Sequence, residues 1–342
     1  TTEESALQVA SWNGIATAPS AMAYIDGASS GTYVAKYTVT STYSGTPYSM
    51  KYTQTFTVGR NIYVAATLED LVALRLKVGE SVRLPALATP QDFYRVLNVR
   101  VATLGSGGAS LTAVGPGGTG VEYHAYDPAL GATALDGTGG LIVVPEPIGS
   151  GKVYLFKENA AAWNWNDAAN WECVSDPGHA GYPDAIDDVA MILYYSQSSK
   201  TMTVGSTADP SVTIGELYAG QLKSVATSLR LQGGSSQVRT LNFERSNGEP
   251  ARIQLTGGAW DSKTFYLYLG GNGSTERLTV SASSDIVFDD GYAGVSDTRQ
   301  RNHGQFNNYV TVVLPEGRFI RLTGGNPVNY GTGGTTFYFS GN

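Results

Sequence analysis

From about residue 200 onward, short apolar runs stop at glycine pairs, and this recurrence restricts the fold more than any other feature. Four of the runs close on Leu231-Gln232-Gly233-Gly234, Leu255-Thr256-Gly257-Gly258, Leu269-Gly270-Gly271 and Leu322-Thr323-Gly324-Gly325. The runs themselves fall at 201–204, 212–217, 228–231, 238–243, 252–255, 265–269, 278–280, 286–288, 310–314, 319–322 and 336–339. A short strand followed by a sharp corner buries its apolar side by stacking on similar strands, which is the logic of a β-helix or solenoid. The spacing is irregular, so no strict repeat family is defined. An antiparallel sandwich of similar strands is the alternative.

The composition agrees with extended structure and tight turns. Charged residues are 15% of the 342, against 42 glycines and 21 tyrosines, whereas a disordered chain would be charge-rich and poor in aromatics. The net charge of −7 and the absence of a Lys/Arg cluster argue against a nucleic-acid partner. No run approaches the roughly 18 apolar residues of a membrane span. A single cysteine, Cys173, rules out a disulfide within the chain and reads as a small buried hydrophobe. Thr1 opens directly onto polar sequence, so an exported chain would be numbered here from its mature end.

Residues 1–60 predict a small antiparallel β-domain, sandwich-like or half of an immunoglobulin fold. Tyr33, Ala35, Tyr37 and Val39 alternate with polar residues, as do Tyr52, Gln54, Phe56 and Val58, with Ser44-Gly45 and Pro47 between them. A first strand around Ala6, Leu7, Val9 and Trp12 would pair within this domain or with a neighbouring molecule. Residues 61–150 predict a second small β-rich domain holding the one helix of the chain. Thr67 with Asp70 forms a capping-box-like start, Leu68, Leu71, Val72 and Leu74 follow at helical spacing, and Gly79 is the stop. Strands are expected at 82–84, 93–101 and 111–114. The glycine-rich stretch 105–120 reads as turns, since no phosphate-binding glycine motif has its strand–helix context. Residues 126–151 read as a rigid Pro/Gly connector around one apolar strand at 141–144.

Residues 163–193 then stand apart. Trp163, Trp165 and Trp171 fall close together, Gly181, Tyr182 and Pro183 form a turn, and Asp187-Asp188 precede the apolar Val189, Met191, Ile192 and Leu193. The end of a solenoid exposes unpaired strand edges and a cross-section of core. Trp163, Trp165, Trp171, Tyr182 and Pro183 would cover it, and Asp187 and Asp188 would hold turn backbone N–H groups. This places the cap and solenoid domain at 151–342.

The pattern Trp165, Asp167, Asn170-Trp171, Pro183 and Asp187-Asp188-Val189 resembles the opening signature of secreted bacterial surface proteins with autotransporter-associated, passenger-type β-helical repeats. The likeness covers about thirty residues, with a looser one over the strands that follow. It implies an exported, extracellular or cell-surface protein, and it brings no catalytic residues. Cys173 and the irregular repeats depart from the pattern.

Chemistry-bearing clusters are sparse. His124, His179 and His303 are scattered without metal-ligand spacing, and no G-x-S-x-G elbow occurs. Asp184, Asp187 and Asp188 on one turn, and Asp285, Asp289 and Asp290 on another, suit either Ca²⁺ or turn capping. Neither has the D-x-[DN]-x-[DN]-G pattern, which favours capping, so no cofactor is expected. Arg299, Arg301 and His303, in a stretch read as a loop from Asp290 to Asn308, could serve a glycan-binding or polysaccharide-lyase site.

The sequence thus predicts an all-β chain with one short helix, an N-terminal sandwich-like part and a C-terminal β-solenoid. The expected role is non-enzymatic: an extracellular structural subunit that polymerises with itself head to tail into a filament, lattice or appendage. Ala6, Leu7, Val9 and Trp12 would meet the apolar run at Phe337, Tyr338 and Phe339 by strand addition. The alternative is a glycan-active β-helix of tail-spike or adhesin type with a surface polysaccharide as partner.

Overall fold

The computed structural model describes residues 31–43, 46–58, 62–195, 198–223, 225–234, 237–257, 264–289, 301–306 and 309–323; for residues 31–58, 62, 257, 264, 301–306, 322 and 323 the backbone alone is described. Among these residues every regular element is a β-strand apart from two 3₁₀ turns, Glu69–Ala73 and Ala168–Asn170. The all-β expectation therefore holds. The chain divides into two compact units, Thr1–Ile62 and Tyr63–Asn342.

The described part of the first unit is a two-stranded antiparallel ribbon of β1 (Gly31–Tyr43) and β2 (Thr46–Val58). Its register sets Tyr33 opposite Phe56, Tyr37 opposite Tyr52 and Val39 opposite Met50, so the two alternating sequences run in phase. The strand expected around Ala6 to Trp12 lies outside the described residues.

The second unit begins with two small sheets. One takes β3 (Ile62–Val64), β5 (Ser81–Arg83), β8 (Ser110–Ala113) and β7 (Ala102–Leu104), in that spatial order. The other orders β4 (Leu76–Lys77), β10 (Ala132–Val144), β9 (Gly117–Asp127) and β6 (Phe93–Val96). Leu71, Leu76, Val82, Leu111, Val121 and Leu141 form their shared core. Two expectations are corrected here. The predicted helix is only the 3₁₀ turn Glu69–Ala73, although the reciprocal cap is made: Thr67 N donates to Asp70 Oδ2 (2.7 Å) and Asp70 N to Thr67 Oγ1 (3.3 Å). Leu76 and Lys77 instead pair in parallel with Val143 and Val144, so sheet pairing overrides helical spacing. The expected connector at 126–151 is largely one arm of a long hairpin, β9 against β10, with an irregularity between Leu135 and Gly137.

Among the described residues, the strands after Cys173 repeat in threes. After β11 (Val153–Phe156) and β12 (Trp171–Cys173) come β13 (Val189–Tyr194), β14 (Lys200–Thr203) and β15 (Ser211–Ile214). The next set is β16 (Glu216–Gln221), β17 (Thr227–Gln232) and β18 (Arg239–Phe243); then β19 (Ala251–Gly257), β20 (Thr264–Leu269) and β21 (Leu278–Ala282). Last are β22 (Ile286–Asp289), β23 (Arg301–Phe306), β24 (Val310–Val313) and β25 (Ile320–Thr323). From β13 to β22, each strand pairs in parallel with the strand three later, which makes three sheets: β12-β11-β13-β16-β19-β22-β25, β14-β17-β20-β23 and β15-β18-β21-β24. Only the β11–β12 pair in these sheets is antiparallel. Partners such as Val189 and Glu216, Glu216 and Arg252, and Ile286 and Ile320 show turns of unequal length, the first being the shortest.

Period-two alternation builds the interior. Leu217, Ile253 and Phe288 are register partners in the first sheet, Leu229 and Leu267 in the second, and Leu241, Val280 and Val312 in the third. All are buried in one continuous core; each such side chain contributes roughly 1.5–3 kcal/mol relative to exposure. Glycine is required where the corners nest: a Cβ on Gly233 would sit 2.0 Å from the Arg277 carbonyl oxygen. The stretch read as a loop before Asn308 contains β23, whose residues Arg301 and His303 lie opposite Thr264 and Tyr266. Its sequence, RNHGQF, lacks apolar alternation, so its strand state is imposed by β20. The run read as one strand at 212–217 is two, because the chain passes from β15 to β16 at Gly215.

Candidate functional site

The Trp-rich segment lies along the first edges of this winding. Residue Asn164 bridges Thr203 of β14 in parallel, with Trp165 N donating to Thr203 O and Thr203 N to Trp163 O, both 2.9 Å. Trp165 is fully buried; its indole N–H donates to Pro183 O (2.8 Å), and that of Trp171 to Trp165 O (2.7 Å). The two rings are 5.1 Å apart. Trp163 is half-buried, stacked at an angle on Phe156 at 4.7 Å. Asn170 clamps the loop by donating to the carbonyls of Ala162 (2.9 Å) and Asn164 (3.0 Å). Tyr182 is held by its hydroxyl on Asp209 (3.2 Å).

The acidic step after it is held by backbone N–H groups and by the Ser246 hydroxyl, which donates to Asp187 Oδ2. Asp188 accepts from Lys152 N (2.8 Å) and Asp184 N (3.1 Å), and Asp187 from Ser246 N (2.9 Å). Asp187 is buried at φ 71°, the left-handed region that Asp tolerates better than most residues. Asp184 accepts from Thr213 N of β15 (2.8 Å). Burial, with Asp209 and Asp188 adding repulsion, pushes the Asp184 pKa up to about 6, and burial likewise raises Asp188. Among the described residues no group of three or more His, Cys, Asp or Glu side chains is gathered to hold a metal ion.

A second assembly of charged groups lies where β9 crosses the outer side of the first sheet. Gly118 and Gly120 make this contact close: a Cβ on Gly118 would be 2.4 Å from Leu222 Cδ2, and one on Gly120 2.6 Å from Leu222 O. Thr256 locks it, its Oγ1 accepting from Gly118 N (2.9 Å) and donating to Gly118 O (2.8 Å). Beside the contact is a cleft of about 380 Å³ lined by Arg100, Gly115 and Pro116 on one side, with Glu216, Tyr218, Arg245, Arg252, Gln254 and Asp289 opposite. The register creates the second wall, since Glu216 partners Arg252, and Tyr218, Gln254 and Asp289 form a row across β16, β19 and β22.

Arg100 grips Asp289 bidentately, Nη1 to Oδ1 at 2.9 Å and Nη2 to Oδ2 at 2.6 Å. Glu216 accepts from the Tyr218 hydroxyl (3.0 Å) and from Arg245 Nη1 (3.1 Å), and Arg252 Nε lies 3.6 Å away. Burial raises the Glu216 pKa, opposed by Tyr218 and the two guanidinium groups. Arg245 Nε is buried without an acceptor. The arrangement can fix a charged ligand between two planar cations and a hydrogen-bonded carboxylate.

The sequence expectations singled out none of the cleft-lining residues apart from Asp289. Polar residues at alternate positions of β16 and β19 carried a faint signal, but nothing in the sequence places Arg100 against Asp289. Of the glycan-site candidates, Arg301 and His303 are in β23, while Arg299 lies outside the described residues, as do Phe337, Tyr338, Phe339, Ala6, Leu7, Val9 and Trp12. On the second sheet Tyr266 and Tyr268 stack at 5.7 Å, with the Arg230 guanidinium 4.6 Å from the Tyr268 ring centre. No helix among the described residues is long and apolar enough to cross a membrane. No protein-family model matches the chain, and no curated protein matches it.

Proposed function

We propose that this is a non-enzymatic, extracellular structural protein, a β-solenoid subunit that assembles with copies of itself into a surface filament, lattice or appendage. The observation that carries the reading is the β1–β2 ribbon. It pairs Gly31 with Val58 through to Tyr43 with Thr46, within the compact unit Thr1–Ile62. A two-stranded ribbon is marginal in water without a third strand or a covering surface, and among the described residues each of its strands has one neighbour only. A strand of a second copy completes it by β-augmentation. The Trp165 to Val189 signature, which resembles that of exported passenger-type proteins, supports the extracellular setting.

The test is negative-stain electron microscopy with light scattering, on the intact chain and on a variant lacking residues 31–58. Ordered fibres or sheets from the intact chain alone are the expected result. An intact chain that stays monomeric across concentration overturns the reading.

A further inference from the structure

We infer that the cleft between Arg100 and the outer side of the first sheet binds a hydroxylated monocarboxylate of sugar size, a uronic acid unit of an acidic glycan. This inference does not rest on self-assembly. Its first support is the count of charge. Arg100, Arg245 and Arg252 face Glu216 and Asp289, a surplus of one positive charge in a chain whose net charge is −7. A ligand with one negative charge closes that count, whereas a doubly charged phosphate overshoots it.

The second support is which groups are already used. Asp289 is engaged by Arg100 through both oxygens, and Glu216 by Tyr218 and Arg245. The Arg252 side chain is 51% exposed, and its nearest carboxylate oxygen is 3.6 Å away, beyond hydrogen-bond reach. Its planar fork of donors therefore faces the cleft open, in the geometry that takes a carboxylate through two parallel bonds. Arg245 Nε adds a buried donor lacking an acceptor.

The third support separates a sugar acid from a bare anion. The Gln254 carboxamide lines the same space. Its oxygen calls for a donor on the ligand, which a hydroxyl group supplies and a simple carboxylate lacks. The volume, about 380 Å³, is within the range of small-ligand sites and suits one or two sugar rings.

The experiment is isothermal titration of the intact protein with galacturonate and glucuronate mono- and disaccharides, with galactose, glucose and inorganic phosphate as comparators. The probes are repeated on Arg252→Gln and Gln254→Ala, and the circular dichroism and thermal midpoint of each variant are compared with those of the parent. Saturable uronate binding, at least about tenfold weaker in Arg252→Gln at unchanged fold, is expected, as loss of a charge-assisted pair of bonds implies. Gln254→Ala should weaken binding severalfold. Equal affinity for the neutral sugars, tighter binding of phosphate, an unaffected Arg252→Gln or no saturable uronate binding would each overturn the proposal.

Discussion

Replacing Trp165 with Phe tests whether the Trp-rich segment holds the first turn by burial and by a specific hydrogen bond. Trp165 is fully buried, and its indole N–H is the donor to Pro183 O at 2.8 Å. Phenylalanine removes that donor and leaves a buried carbonyl, which costs about 1–3 kcal/mol. The smaller ring also forfeits roughly 40 Å² of apolar contact, about 1 kcal/mol, plus a term for the space left against Trp171. The sum is about 2–4 kcal/mol. Trp163→Phe is the control: Trp163 is half-buried and its contacts with Phe156 and Tyr194 are ring contacts that Phe largely retains, so about 1 kcal/mol or less is expected. Urea titrations followed by far-ultraviolet circular dichroism measure both. With a slope of about 3 kcal/mol per molar, Trp165→Phe should lower the midpoint by about 1 M and Trp163→Phe by a third of that or less. Equal losses in the two variants would refute the argument, because exposure and the Pro183 bond are what separate them.

Asp184 should couple stability to pH. Burial lifts its pKa from 3.8 to about 6 in the folded protein, so the folded state holds a proton that the unfolded chain releases; the associated stabilisation is full below pH 3.8 and is lost as pH rises through about 6. Asp184→Asn, whose carboxamide oxygen can still accept from Thr213 N, should therefore be more stable than the parent at pH 7 and lose that advantage at pH 4, measured by urea midpoint at both pH values. Asp92 accepts from Ala88 N, Thr89 N, Thr89 Oγ1, Tyr123 Oη and Tyr126 N, and these bonds hold its pKa far below the usual range, the Thr89 hydroxyl foremost. Asp92→Ala should lower the thermal midpoint at pH 7 more than at pH 3, where the parent carboxylate is already largely protonated in the unfolded chain; a loss independent of pH would refute the assignment.

How far the sequence foretells this structure depends on which side of a strand carries the information. Leu229 and Leu231, Leu241 and Phe243, or Leu278 and Val280 alternate because their inner positions are filled by neighbouring turns, so those strands could be read directly. β23 could not, because Arg301 to Phe306 takes its register from β20 and carries little apolar signal of its own. Thr67 and Asp70 announce a helix start that is made and then abandoned, because the end of β10 offers Leu76 a better-paired place. Gly117 to Gly120 read as turn residues, yet they belong to β9 and serve close approach to Leu222 and Thr256. The cleft was hidden for a different reason. Arg100 and Asp289 are 189 residues apart, and only the winding that sets Gln254 beside Asp289 brings the second wall to the first.

The Arg100–Asp289 clamp has a mechanical consequence. Strands β13 to β22 are each hydrogen-bonded in parallel to the strand three later, so pulling these sheets apart breaks their ladders strand by strand. Two of these strands are also tied from outside their sheet: β22 carries Asp289, held bidentately by Arg100, and β19 carries Thr256, bonded twice to Gly118. Peeling must break these side ties together with the ladder. The Arg100 and Gly118 ties thus act as a ratchet pawl on β22 and β19, so that these two strands yield only when ladder and ties break together.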